Sequence, residues 1–303
     1  MSKEYLFYFL HFFDWHKAAE NDVKIKGMTL NKEKLKEVLI HFPSPKEQKR
    51  IVAILDEAFE GIAVAVANAE RNLASARELF DDYVCTIFRS TGDGWSKTTL
   101  GALCDSVEYG TATKSLPAGR VPVLRMGNIQ NGVLDWDNLV YTNDPKEIEK
   151  YSLRAGDVLF NRTNSAEHVG KTAIYRGEKP AIFAGYLIRV HRKEKYLDGE
   201  FLNYFLNSSI ARDHGKTVMS QSVNQANISG SKLKEYPIAI PSPTRQKEIV
   251  EKIHQLKTHT SDLVLIYQRK LEELQKLKQS ILQKAFTGEL TAQPEKALQK
   301  ALA

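Results

Sequence analysis

Two stretches of the chain set apolar residues in alternating steps of four and three. The first reads Ile62, Val66, Ala69, Leu73, Ala76, Phe80, Tyr83 and Ile87. Displaced by 198 positions, the same frame reads Val264, Tyr267, Leu271, Leu274, Lys278, Ile281 and Ala285, opened by Thr260 and polar only at Lys278. This spacing keeps one stripe on one side of a helix and marks a coiled-coil seam. The pattern therefore predicts two long helices, one with Val66, Leu73, Phe80 and Ile87 on its seam and one with Val264, Leu271, Leu274 and Ile281.

The helix starts repeat as well. KLKEVLIHFPSPKEQKRIVAIL (Lys34 to Leu55) matches KLKEYPIAIPSPTRQKEIVEKI (Lys232 to Ile253), and EYLFYFL from Glu4 is echoed by EFLNYFL from Glu200. Ser44 and Ser242 suit the N-cap, and Pro45 and Pro243 suit the first turn, where proline loses no needed donor. Glu47 completes a capping box with Ser44, whereas Arg245 breaks that pattern in the second copy. Gly288 is the expected stop of the second helix.

Between the helices the period changes. VPVLRMGNIQNGVLD, LRAGDVLFN, KTAIYRG and AIFAGYLIRVHR are short apolar runs punctuated by turn signals at Gly127-Asn128, Asn131-Gly132 and Gly156-Asp157, and read as strands. GEFLNYFLNSSIARDHGK reads as helix. The expected order is a partial unit at 1–43, a long helix at 44–91, a complete mixed unit at 92–241, a second long helix at 242–290 and a frayed tail at 291–303. The fold class is α+β.

Composition changes this little: 42% hydrophobic, 26% charged and a net charge of +6 over 303 residues are ordinary for a globular protein of mildly basic character. Between Gly92 and Gly230 the 17 Lys and Arg nearly balance 15 Asp and Glu, so a basic face there needs segregation of charge. Cys85 and Cys104 have no metal or redox spacing and read as reduced thiols of a cytoplasmic protein. The N-terminal KEYLFYFLHFFDW is too short to span a bilayer, which takes about 20 apolar residues. It lacks a small-residue cleavage site, and its internal echo marks it as domain structure.

The ordered motifs VPVLRMGNIQNG, LRAGDVLFNRTNSAEHVGKTAIY and SQSVNQANISGSKLKEYPIAIPSP, with the paired helix starts, resemble the specificity subunit of type I restriction–modification systems. The resemblance covers roughly Glu4 to Leu290. It implies target-recognition domains that each read half of a split site in double-stranded DNA, held apart by two helices packed as an antiparallel coiled coil. It also implies a subunit without catalysis, metal or cofactor of its own. S-adenosylmethionine, ATP and Mg are expected on the partner modification (methyltransferase) and restriction (motor-nuclease) subunits. Family members usually carry two complete recognition domains; here the first is represented by about forty residues. A homodimer through the helices would restore two and make the target symmetric.

Base readout needs Arg for guanine and Asn or Gln for adenine, whereas Lys, Arg and small hydroxyls hold phosphates. The candidates are Lys114; Arg125, Asn128, Gln130 and Asn131; Arg162, Thr163 and Asn164; and Lys216, Ser220, Gln221, Asn224 and Gln225. Asn128 and Asn131 also read simply as turn formers.

Two stretches imitate a phosphate loop, SAEHVGKT and IARDHGKT, but Ser165 and Ile210 stand where the first glycine is needed. No methyltransferase motif, HExxH or nucleophile–base arrangement is present. A coiled-coil scaffold, or a truncated specificity subunit without productive DNA binding, is the alternative to a DNA reader, and no membrane partner is expected.

Overall fold

The computed structural model describes residues 1–15, 17, 23–24, 27–28, 32–40, 42–89, 92–223 and 225–292. It forms two compact units, one of Met1–Ala76 with Asp262–Ala303 and one of Arg77–Ser261. The division thus falls inside the two long helices.

The first part of the chain holds α1 (Lys3–Phe12), the strands β1 (Val23–Lys24) and β2 (Gly27–Met28), α2 (Lys32–Lys36) and the long α3 (Pro45–Arg89). Then come β3 (Ser96–Thr99), β4 (Cys104–Tyr109), β5 (Val121–Leu124), β6 (Ile129–Gln130), β7 (Val133–Leu134), β8 (Val140–Thr142) and α4 (Pro145–Tyr151). They are followed by β9 (Val158–Asn161), β10 (Thr163–Asn164), β11 (Thr172–Ile174), β12 (Ile182–Phe183) and β13 (Leu187–Arg192). The last elements are α5 (Gly199–Asn207), α6 (Ser209–Val218), β14 (Ser220–Ser222), β15 (Gln225–Asn227), α7 (Gly230–Lys234), β16 (Pro237–Ile240) and the long α8 (Pro243–Thr287).

In the first unit the capping hydroxyl of Ser2 accepts from Tyr5 N and starts α1. Ser44 Oγ accepts from Glu47 N at the head of α3. Tyr5 packs with Ile51 and Leu55 from the start of α3 and with Leu282 and Ala285 from the end of α8. Phe286 is the hub, edge-on to Tyr5 at 5.3 Å and to Phe9 at 5.6 Å. Gln48 joins the two helix starts. Its side chain accepts from Ser2 N at 2.9 Å and donates to Pro43 O at 2.7 Å.

The second unit builds the same device from the repeat. Asp198 caps α5 by accepting from Phe201 N, and Ser242 Oγ accepts from Arg245 N. Phe88 is edge-on to Phe201 at 5.1 Å and to Phe205 at 5.5 Å. Val84 and Phe88 from the end of α3 share a core with Ile249, Val250 and Ile253 from the start of α8. Within each unit, then, the head of one long helix packs with the tail of the other, and the two run antiparallel. Along the seam, Val66, Leu73, Phe80, Ile87, Val264, Leu271, Leu274 and Ile281 are half-buried, with Ile62, Ala69 and Ala76 buried between those of the first helix. Only Lys278 of the frame is exposed. Gly288, at φ +81°, ends α8 as expected.

The rest of the second unit is a sheet domain. A four-stranded sheet in the order β11-β9-β13-β4 lies between two cores. Val158, Phe160, Ile188 and Val190 point into the core shared with the long helices and α5. The alternate residues Leu159, Ala173 and Leu187 point into a second core with Val123, Ile129 and Phe183. Burial on both faces explains why these strands read as unbroken apolar runs. A second sheet, β12-β5-β8, supplies that second core, with β12 parallel to β5. Strand β16 pairs with β3 from Pro237–Thr99 to Ile240–Ser96, which ties the end of the domain to its beginning.

The helix expected over Gly199 to Lys216 is two helices, α5 and α6, because Ser208 ends the first with its backbone and caps the second with its side chain. Cys85 and Cys104 are buried free thiols, and burial pushes the Cys104 thiol up to about 12. Among the described residues no helix is long and apolar enough to cross a membrane.

Candidate nucleic-acid interface

The three-stranded sheet β10-β15-β14 carries little apolar material. Its register pairs Thr163 with Asn227, Ser220 with Asn227, and Ser222 with Gln225. Alternation along each strand therefore puts Thr163, Ser220, Ser222, Gln225 and Asn227 on one face. The opposite face is pinned by Ala226, which is fully buried. Thr163 Oγ1, Asn227 Oδ1 and the neighbouring Arg162 Nε are buried and make no hydrogen bond within the protein. Each such group costs about 1–3 kcal/mol, which folding alone does not reward.

This face borders two adjoining concavities of about 670 and 790 Å³. Lys114, Arg125, Arg162, Thr163 and Gln225 line the larger. Arg125, Asn128, Gln130, Asn164 and Gln225 line the smaller, with Lys171 and the carboxylates of Asp135 and Asp137. The two meet at Arg125, Tyr186 and Gln225. Residues far apart in the chain thus converge on one polar cleft with four cationic side chains.

Packing fixes several of these groups. The Arg162 guanidinium lies 4.8 Å from the centre of the Tyr109 ring. Tyr109 Oη accepts from Gly230 N at 2.8 Å, which links the cleft to α7. Gly110 lets the backbone of Phe183 and Ala184 pass so close that a Cβ there would sit 2.2 Å from Phe183 O. That approach allows Gly185 N to donate to Thr111 O at 2.7 Å, and the loops carrying Lys114 and Tyr186 are tied together.

Asn128 corrects the sequence-based expectation. It is only 4% exposed, and its carboxamide is fully used inside its loop. Oδ1 accepts from Arg125 N at 2.9 Å, and Nδ2 donates to Asp135 O and Asp137 O, both at 3.0 Å. It holds the loop that presents Arg125, and with both amide hydrogens spent and the side chain buried it cannot make the paired contact that reads adenine. Asn131, at φ +50°, and Gly132, at φ +78°, form the tight turn between β6 and β7, the turn-former reading of that pair. Gln130 Nε2 donates to Gly127 O at 3.1 Å, and its Oε1 accepts from Lys171 Nζ at 3.4 Å. Thr163 is buried, and its hydroxyl is withdrawn from open solvent without a hydrogen-bond partner in the protein.

Three further expected residues, Lys216, Ser220 and Gln221, do not line the cleft. Lys216 is on α6, ion-paired with Asp213 at 2.8 Å, and lines a separate concavity with Phe160 and Tyr236. Ser220 Oγ accepts from Lys232 Nζ at 3.0 Å, and Gln221 is exposed on the outer strand β14. Asn224 lies outside the described residues. Sequence reasoning missed Tyr186, Lys171 and Asn227. Tyr186 sits in a run that reads as continuous strand, AIFAGYLIRV; the Ala-Gly pair before it is the signal of the bend that exposes it.

Away from the cleft, Arg189 is buried against Glu108 Oε2 at 2.5 Å and Asp157 Oδ2 at 3.1 Å, and His191 Nε2 is 3.0 Å from the same Glu108 oxygen. Burial raises the Glu108 pKa, but the hydrogen bonds from Arg189 and His191 outweigh it and hold the carboxyl below its ordinary value. This network clamps β4 to β13 and to the turn before β9. Among the described residues no group of His, Cys, Asp and Glu is placed to hold a metal ion.

Residues 2–68 and 92–287 match the model of the type I restriction modification DNA specificity domain. The chain is 28% identical over 269 residues to the StySPI specificity subunit of Salmonella potsdam, covering 84% of this chain and 58% of that protein. It is 30% identical over 204 residues to the EcoKI specificity subunit of Escherichia coli, covering 66% and 44%. A third relative is the putative MjaX specificity subunit of Methanocaldococcus jannaschii, 29% identical over 199 residues, covering 64% and 46%. The chain spans about half the length of these curated relatives. Its fold matches a solved chain from the type I R-M system with a TM-score of 0.76 at 21% identity, covering 95% of this chain and 71% of that one. It matches the HsdS subunit from Thermoanaerobacter tengcongensis with a TM-score of 0.59 at 20% identity, covering 96% and 71%.

Proposed function

The chain belongs to the family of type I restriction modification DNA specificity domains, and from that premise we propose that its sheet domain reads one half-site of double-stranded DNA through the cleft around Arg125, Arg162 and Gln225. The observation that carries this reading is the convergence of Lys114, Arg125, Arg162, Thr163 and Gln225 on one concavity whose wall is a polar sheet face with unpartnered groups. Lys114 and Lys171 contribute phosphate attraction, which positions without specifying. Arg125 and Gln225 are the side chains whose paired donors and acceptors discriminate guanine and adenine in the major groove. Asp135 and Asp137 limit the net charge of the cleft and disfavour phosphate at their end.

The chain itself performs no chemistry in this reading. It delivers the target to modification subunits that use S-adenosylmethionine and to restriction subunits that use ATP and Mg. Val64, Leu265 and Ile266, apolar and exposed on the long helices of the first unit, support a protein partner on those helices. A second copy of the chain is the other occupant of such a surface, and sedimentation with and without the modification subunit distinguishes the two.

The test is binding of duplex DNA by the complex of this chain with a modification subunit, measured across salt concentrations. Removing one phosphate contact with Lys114→Ala lowers the slope of log K against log salt by about one. Arg125→Ala costs roughly 1–3 kcal/mol and relaxes the preferred sequence. Binding that ignores salt and sequence overturns the reading.

A further inference from the structure

The hairpin β14–β15 has features that the fold does not require. β14 is the outer strand of its sheet, and all three of its residues, Ser220, Gln221 and Ser222, are exposed. Ala226 is the one residue of the two strands that is fully buried, so the hairpin is not held out to complete a core. Its turn begins with Val223, whose exposure is 99%. A β-branched residue is unsuited to hairpin turns, where Asn, Asp and Gly prevail, and an apolar side chain in water contributes nothing to stability. Neither turn chemistry nor packing accounts for valine there. Next to it, Ser222 Oγ donates to Gln225 O at 3.0 Å and closes the turn, while Gln225 borders both concavities of the cleft.

We propose that the β14–β15 ribbon enters the major groove and that Val223 reads a thymine through its 5-methyl group. This inference rests on the cleft being the DNA-reading site. The argument is one of fit. A two-stranded ribbon suits a groove about 12 Å wide and not one of about 6 Å. In the major groove the thymine methyl is the apolar feature a valine can recognise, and the minor groove offers none. Apart from Val223, the exposed side chains of the ribbon, Ser220, Gln221, Ser222 and Gln225, are polar and uncharged, which suits an element set among base edges and water and repels no phosphate. Val223 thus acts as a specificity-determining contact beside the hydrogen-bonding residues of the cleft.

The experiment uses the complex with the modification subunit and the half-site it methylates. Each thymine of that half-site is replaced in turn by deoxyuridine, which removes only the methyl group. The expected result is one position where the wild-type complex binds about four-fold more weakly without the methyl, the worth of one buried CH₂. Val223→Ala and Val223→Ser complexes are expected to bind thymine and deoxyuridine equally at that position. Uniform binding of all deoxyuridine duplexes by wild type overturns the proposal, and so does a methyl effect that survives in both variants. In both outcomes sequence-specific binding persists, which separates this failure from failure of the DNA-reading proposal itself.

Discussion

Gln246 accepts the backbone N–H of Asp198 at 2.9 Å, joining the first turn of α8 to the residue that caps α5. Its amide also donates to Pro241 O at 3.0 Å and Tyr196 O at 2.8 Å. Gln48 makes the equivalent link to Ser2 in the first unit. The repeated Pro-Ser-Pro phrase is therefore more than a helix start. Its glutamine fastens each long helix to the short aromatic helix that precedes it.

Replacing Gln246 by alanine strands one buried N–H and two carbonyls. Urea unfolding is expected to register a loss of roughly 2–4 kcal/mol. Gln48→Ala loses two bonds in place of three, at a site nearer solvent, and is expected to cost less. Equal, negligible losses at both positions would contradict the fastening role.

Phe88 and Phe286 are equivalent hubs, Phe88 meeting two rings of its short helix and Phe286 three. Phe88→Ala is expected to cost roughly 3–5 kcal/mol, and Phe88→Leu much less. Thermal melting of both variants checks this.

Asn128→Ala is expected to weaken DNA binding without touching DNA, because it frees the loop that presents Arg125. Faster hydrogen exchange at the Arg125 and Asp137 amides is the accompanying signature. Arg125→Ala is expected to weaken binding with little change in exchange at Asp137. If the two variants behave alike in exchange, Asn128 is not the residue that holds the loop.

The Glu108 carboxyl is held below its ordinary value in the folded state, despite burial, by Arg189 and His191. Its ionised form therefore stabilises the fold above the ordinary glutamate range, near pH 4.3. That contribution is lost as pH falls through the folded value. Stability measured from pH 7 downward is expected to fall less steeply in Glu108→Gln than in wild type. At pH 7 the variant is expected to be less stable by roughly 1–3 kcal/mol, since Arg189 keeps Asp157 and Ser152 O as partners.

The long helices were legible because their signal is periodic and local. A 3–4 frame survives Thr260 and Lys278, and every frame position apart from Lys278 is buried or half-buried. The sheet domain was legible as strands, since burial on both faces leaves continuous apolar runs. The cleft was only half legible. Arg125, Arg162 and Gln225 announce their chemistry by residue type, but Asn128 has the same chemistry turned inward, and only tertiary structure distinguishes the two. The paired Gly-Lys-Thr stretches show the same limit. Gly215 lies inside α6 beneath the Tyr236 hydroxyl, where a Cβ would come within 2.7 Å. Gly170, at φ +91°, turns the chain before β11, and Lys171 reaches Gln130. Both glycines serve packing and turning. Tyr186 and Asn227 escaped because an exposed tyrosine at a strand bend, or an asparagine on a short strand, has no distinguishing pattern in one dimension.

The most direct measurement is a map of methylated adenines in cells that express this chain with a modification subunit, repeated with Gln225→Ala. The account predicts one sequence motif for the wild-type complex and a motif relaxed at a single position for the variant. A stable complex that methylates nothing, or a motif unchanged by Gln225→Ala, Arg125→Ala and Arg162→Ala alike, would contradict it.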